Sequence, residues 1–263
     1  GPSYGSAEET FGQIMKSSFA PYRDELFIST KAGHDMWPGP YGNWGSRKHL
    51  MASLDQSLKR MNLDYVDVFY SHRYDPETPL EETLQALVDI VRKGKALYVG
   101  LSKYPLDAYL FASRYLKERD VPCLLYQGRY SMLVREPESQ GILNAVKENG
   151  SGFVAFSPLA QGLLTNRYLN GIPDNSRIAR GGFLKKEALT PEVLSKIQAL
   201  NERAAMRGQS LAEMALAWLL KNETVTSVIV GASSVEQLGD SLKTLNHLSF
   251  EEEELHAIEK ILM

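Results

Sequence analysis

Apolar positions in this chain follow two alternating rhythms. Short β-branched and aromatic runs, each four or five residues long, read as buried strands. They are Leu26–Thr30, Val66–Tyr70, Ala96–Gly100, Leu124–Gln127, Phe153–Phe156 and Thr226–Val230. Between them the apolar residues step by three and four, as Leu50, Leu54, Leu58 and Met61 do, which places them on one helical face. Start signals mark the helices. Ser6, Ser210, Ser234 and Ser249 each stand three residues before a Glu or Gln and predict capping boxes. Thr78-Pro79-Leu80-Glu81 and Thr190-Pro191 predict a Thr cap followed by Pro at the first helical position. Helices are expected from Pro105 to Lys117 and from Glu138 to Asn149.

Strand starts near 26, 66, 96, 124, 153 and 227 leave middle spacings of 30, 28 and 29 residues, the size of single βα units. Strict alternation places the chain in the α/β class. No G-x-G-x-x-G or G-x-x-x-x-G-K-[ST] follows any strand, so neither usual nucleotide loop is present. A (β/α)8 barrel lacking its first two strands fits the pattern better than a doubly wound sheet. Residues 1–263 are read as one barrel domain, N-terminally incomplete.

Composition narrows the picture. A chain of 263 residues with 43% hydrophobic content supports one large core. A net charge of −3 argues against nucleic acid or an anionic membrane as main partner. No apolar run reaches the ~18 residues of a membrane span. The single Cys123 excludes an internal disulfide and fits a reducing, cytoplasmic setting. His34, His49, His72, His247 and His256 form no H-E-x-x-H, and C-x-x-C is absent, so no metal is expected.

Each strand exit carries a polar group: Lys31, His72, Ser102, Gln127, Ser157-Pro158 and Gly231-Ala232-Ser233-Ser234. Barrel enzymes keep their chemistry at that end. A Lys and a His there suit polarising a carbonyl and delivering a proton to it. Lys31 could equally be a Schiff-base amine, a phosphate clamp or a solvated strand end. Gly231 to Ser234 reads either as an anion site at a helix N-terminus or as an ordinary capped start. Trp37, Tyr41 and Trp44 line a substrate pocket or pack their own loop. The basic stretch Arg167, Arg177, Arg180, Lys185 and Lys186 reads as solvated, with one or two residues available to grip phosphate.

Taken in order, Ile28-Ser29-Thr30-Lys31, Ser71-His72, Val99-Gly100-Leu101-Ser102, Gln127-x-x-Tyr130, Ala155 to Gly162 and Gly231 to Gln237 resemble the aldo-keto reductases. Within that family the likeness is to the branch of the L-glyceraldehyde 3-phosphate reductases and potassium-channel β subunits. The resemblance implies a barrel that binds NADPH, or NADH, without a Rossmann domain and reduces small aldehydes of the glyceraldehyde 3-phosphate or methylglyoxal kind. Lys31 and His72 fall on the family's catalytic lysine and histidine. Ser102 and Gln127 fall where the nicotinamide amide is held, and Phe156 where a residue packs on the ring. Ser157, Leu159, Gln161 and Gly162 fall beside the pyrophosphate; Gly231, Ser233, Gln237 and Ser241 on the adenosine side. Trp37 is the substrate candidate. The family's catalytic Tyr and Asp are expected to precede Gly1, within about 60 further residues; the other alignment makes Tyr4 that tyrosine. Ser234 stands where many relatives have an Arg for the 2′-phosphate, and Ser241 replaces an Asn near the adenine. The alternative function is a cofactor-sensing binding subunit. A homo-oligomer is allowed.

Overall fold

The computed structural model describes residues 4–169, 171–174, 178–179, 181 and 184–263. Arg177 and Arg180 of the basic stretch lie outside them. In chain order the principal elements are α1 (Ser6–Ile14), β1 (Ser29–Ala32), α2 (Arg47–Met61), β2 (Val66–Ser71), α3 (Leu80–Arg92), β3 (Ala96–Ser102), α4 (Leu106–Lys117) and β4 (Cys123–Arg129). They continue with α5 (Glu136–Ser139), α6 (Ile142–Glu148), β5 (Gly152–Phe156), α7 (Pro191–Met206), α8 (Leu211–Leu220), β6 (Val225–Val228), α9 (Val235–Lys243) and α10 (Glu252–Leu262). All six predicted strands form, and helices follow them in alternation.

The chain divides into two compact units, Gly1–Gln127 with Ala145–Gly152, and Gly128–Asn144 with Phe153–Met263. In the first, β1, β2, β3 and β4 pair in parallel in that order, with Lys31 opposite Tyr70, Tyr70 opposite Gly100, and Ser102 opposite Gln127. Every residue of β2 is buried, as a strand between two neighbours and under helices must be. Gly100 is required there: a Cβ would stand 2.3 Å from Cε1 of Tyr70. In the second unit β5 and β6 pair in parallel. Leu211, Met214, Leu216, Trp218 and Leu219 of α8 are buried, and the Tyr130 ring meets Phe153 and Trp218 at 5.8 Å each. Arg135 bonds both Glu138 and Glu259, which ties α10 to the segment after β4.

Four local expectations are corrected. Ser6 is inside α1 rather than capping it with Glu9, and no side chain caps the helix; Glu8 of the first turn accepts from Thr30 Oγ1 and Arg60 Nε, each at 2.7 Å. Gly5, at φ +83°, takes the cap position instead. Pro79 is the cap of α3, at ψ 124°, and the helix starts one residue late. The Asp75 carboxylate collects the N–H groups of Gly45, Glu77 and Thr78 just before it. The helix expected over 138–149 is two, broken at Gly141, whose φ of +75° ends α5. The last capping box joins Glu251 and Glu254, not Ser249 and Glu252. Ser210 forms its box with Glu213, and Thr190 caps α7 as expected.

Candidate active site

In the first unit, parallel strands deliver their exits side by side. Lys31 lies within β1, half-buried; burial first, and Lys103 next, hold its ammonium below the usual lysine range, with Glu8 pulling the other way. His72 follows β2, and its backbone N–H donates to Ala32 O at 2.8 Å, which pins it beside the end of β1. Its imidazole is pushed down to about 3 by burial, then by Lys31, His34, Lys103 and Arg73. It is neutral at pH 7. Gly33 makes room for it, since a Cβ there would come 3.2 Å from Cβ of His72.

Ser102, at the end of β3, is fully buried, and among the described residues its Oγ has no hydrogen-bond partner. A buried hydroxyl without a partner is costly, so such atoms call for an explanation. Gln127 is buried on the paired strand, and its side-chain amide bonds the Tyr70 hydroxyl. Ser71 Oγ and Tyr104 Oη share a hydrogen bond at 2.9 Å. Trp37 is half-buried with its ring 5.0 Å from His49. Tyr41 is exposed under Lys48, and Trp44 lies under the Arg73 guanidinium at 3.7 Å. Tyr4 is 68% exposed in the turn before α1.

Three residues here were not singled out by sequence: His34, Arg73 and Lys103. Lys103 Nζ lies 3.3 Å from His34 Nε2, and the His34 ring meets His72 edge-on at 4.4 Å. Arg73 donates to Gly33 O and Asn43 Oδ1. The available signal was position. Arg73 and Lys103 each directly follow a flagged strand-exit residue, and His34 lies three residues after Lys31.

The second unit supplies a different kind of site. Ser157, Leu159, Gln161, Gly162, Gly231, Gln237 and Ser241 all line one cleft of about 480 Å³. Ser157, Ala160, Gln161 and Gly162 have φ of +53°, +47°, +60° and +103°, and the N–H groups of Ala160 and Gly162 bond Ser157 O and Leu159 O within this tight loop. Phe156 ends β5, half-buried, with its carbonyl accepting from Tyr130 N–H. Ser233 is exposed; its N–H and Oγ both donate to Gln237 Oε1 at 2.9 Å. Ser234 caps α9 by accepting from Gln237 N–H. Two N–H groups that an anion would use at this helix start are therefore already engaged. Arg167 lines the same cleft, while Lys185 and Lys186 are exposed. Among the described residues no group of His, Cys, Asp or Glu could hold a metal, and no helix is long and apolar enough to cross a membrane. Cys123 is buried, its thiol pushed up to about 12 by burial.

Comparison with known proteins identifies the family. The model of the Aldo/keto reductase family matches residues 1–263. L-glyceraldehyde 3-phosphate reductase of Escherichia coli O157:H7 is 55% identical over 265 aligned residues, covering 99% of this chain and 76% of that protein. The protein of the same name from strain K12 is 54% identical over the same span. A probable voltage-gated potassium channel subunit beta of Arabidopsis thaliana is 36% identical over 92% of this chain and 74% of its own length. Six parallel strands in βα alternation, of the (β/α)8 class, a family match along the full chain and a reductase relative over nearly all of it agree: the chain is an oxidoreductase and belongs to the aldo/keto reductase family.

Proposed function

We propose that this enzyme reduces small aldehydes, glyceraldehyde 3-phosphate or methylglyoxal-like, to alcohols at the expense of NADPH, with NADH the alternative. The observation that carries the reading is the pairing of a half-buried Lys31 with a neutral His72 at adjoining strand exits. A neutral imidazole can donate an N–H to a carbonyl oxygen and hold it in place. An ammonium beside a hydroxyl favours the ionised form and so acidifies a proton donor. Tyr4, 68% exposed, is the less favoured alternative for that donor.

Each unit carries residues whose chemistry would suit one part of the cofactor. A nicotinamide amide offers the donor and acceptor that the orphaned Ser102 Oγ and the Gln127 side chain would use. Phe156 would pack on the ring. The left-handed loop with Ser157, Leu159, Gln161 and Gly162 would hold pyrophosphate, and Gly231, Ser233, Gln237 and Ser241 the adenosine end. When bound, a dihydronicotinamide supplies the hydride that a carbonyl carbon receives. Trp37 is assigned to the substrate pocket, residues 1–263 to one catalytic domain, and the protein to the cytoplasm, which suits its single buried cysteine.

The likeness to channel β subunits supports a second reading, cofactor sensing with incidental turnover. One experiment separates the two. Tryptophan fluorescence is titrated with NADPH and with NADH, and turnover of glyceraldehyde 3-phosphate is then followed at saturating cofactor. Saturable quenching with turnover is expected. Quenching without turnover selects the sensor, and no quenching by either nucleotide sinks both.

A further inference from the structure

Around the proposed carbonyl site the first unit gathers positive charge with little to neutralise it. Arg73 follows His72, Lys103 follows Ser102, and His34 follows Gly33, so three neighbouring strand exits each add a cationic or N–H-bearing side chain. Arg73 spends one N–H on Gly33 O and one on Asn43 Oδ1, each at 2.7 Å, while its plane stacks 3.7 Å from Trp44. Its other N–H groups are left over. Lys103 contacts His34 Nε2 at 3.3 Å. Among the described residues neither cation takes part in an ion pair. Arg73 and Lys103 repel one another, and both repel protonation of His34 and His72; Asp35, near His34, is the opposing carboxylate.

A guanidinium held by two hydrogen bonds, with an ammonium and an imidazole at the neighbouring strand exits, supplies the donor types that bind a phosphoryl group. Folding such charges together is unfavourable unless a ligand repays it, as a dianion would. The placement beside His72 matters as much as the charge. A short aldehyde held at His72 would carry a phosphate only a few bonds away.

We propose that Arg73, Lys103 and His34 bind the phosphate of a short phosphorylated aldehyde and so set the enzyme's preference for it over the unphosphorylated one. The inference rests on the aldehyde-reductase reading above, and its test separates the two. Lys103 has φ +55° and is exposed, so Lys103→Asn keeps the backbone conformation while removing the charge. Arg73→Gln is the companion variant; should it fail to fold, Lys103→Asn decides alone. Turnover of glyceraldehyde 3-phosphate and of glyceraldehyde is measured for each, and inorganic phosphate binding is followed by phosphorus NMR line broadening.

Loss of one charge-assisted contact should cut the ratio of the two kcat/KM values about 10- to 100-fold and weaken phosphate binding alongside it. An unchanged ratio overturns the proposal, as does an equal loss of NADPH affinity in the fluorescence titration, which would give these cations to the cofactor. If the parent reduces neither aldehyde, the reductase reading fails. The phosphate titration then decides the anion site by itself: broadening that Lys103→Asn abolishes upholds it, and broadening that persists refutes it.

Discussion

The two units solve the problem of holding a polar ligand in opposite ways. In the first, buried or half-buried side chains at the ends of paired strands, Lys31, His72, Ser102 and Gln127, are fixed by sheet register to within a residue. In the second, the cleft is built from a left-handed loop and an exposed, capped helix start, where Ser233, Ser234 and Gln237 spend their groups on one another. The contrast is one of cost. Burial shifts titration and leaves Ser102 unpaired, so the first unit stores free energy against its ligand. The second stays solvated, stores little, and offers backbone groups that any chain following that path would offer. Reaction chemistry belongs where side chains cannot relax; grip on a long nucleotide tolerates a softer site.

Replacing Lys31 should break the comparison most severely. Lys31→Met removes the ammonium and keeps a chain of similar length, so kcat should fall about 10²- to 10⁴-fold while NADPH still quenches fluorescence through the second unit's cleft. A loss of binding equal to the loss of turnover would show that Lys31 holds cofactor rather than acidifying a donor.

Ser102→Ala sharpens the contrast with a change of sign. Removing an unpaired buried hydroxyl should leave the free protein as stable or about 1 kcal/mol more stable, raising its melting temperature. The same variant should bind NADPH about tenfold less tightly. An equal substitution at Ser233, exposed and bonded to Gln237, should leave the melting temperature unchanged and weaken NADPH binding by less. Lower melting temperature for Ser102→Ala would mean the hydroxyl is satisfied in the free protein.

A further effect concerns pH. His72 is depressed to about 3 in the folded state against about 6.5 when unfolded. Between those values the unfolded chain binds the extra proton, so stability rises with pH through this window and the gain is complete above about 6.5. His72→Gln should flatten the acid side of a stability-against-pH curve. A parallel curve would mean that His72 titrates in the fold as it does in the unfolded chain.

Much of the frame was legible because buried parallel strands and capped helices are local signals. Ser210 with Glu213, Thr190 before Pro191 and the Val66–Tyr70 run each contain their own instructions. What stayed hidden depended on partners far along the chain. Ser6 and Glu9 have the right spacing for a capping box, yet the helix starts at Ser6 itself with Gly5 as its cap, while Glu8 of that first turn is tied to Thr30 and Arg60. The strand exits could be read one by one as Lys31, His72, Ser102 and Gln127. That Lys103, Arg73 and His34 gather beside them is a fact of three adjoining strands. Spacing along the chain shows only that each lies next to a strand exit, not that the three exits adjoin.

The pairing of Gly100 with Tyr70 also constrains how such a sequence can drift. Any side chain at 100 collides with the tyrosine ring across the ladder, whereas shrinking 70 first leaves a hole in a close-packed layer. Each single step is disfavoured, and only a joint exchange, or one passing through a weakened intermediate, reaches a new arrangement. Among descendants of this chain the two positions should be inherited as a unit, and a variant at one should betray a compensating change at the other.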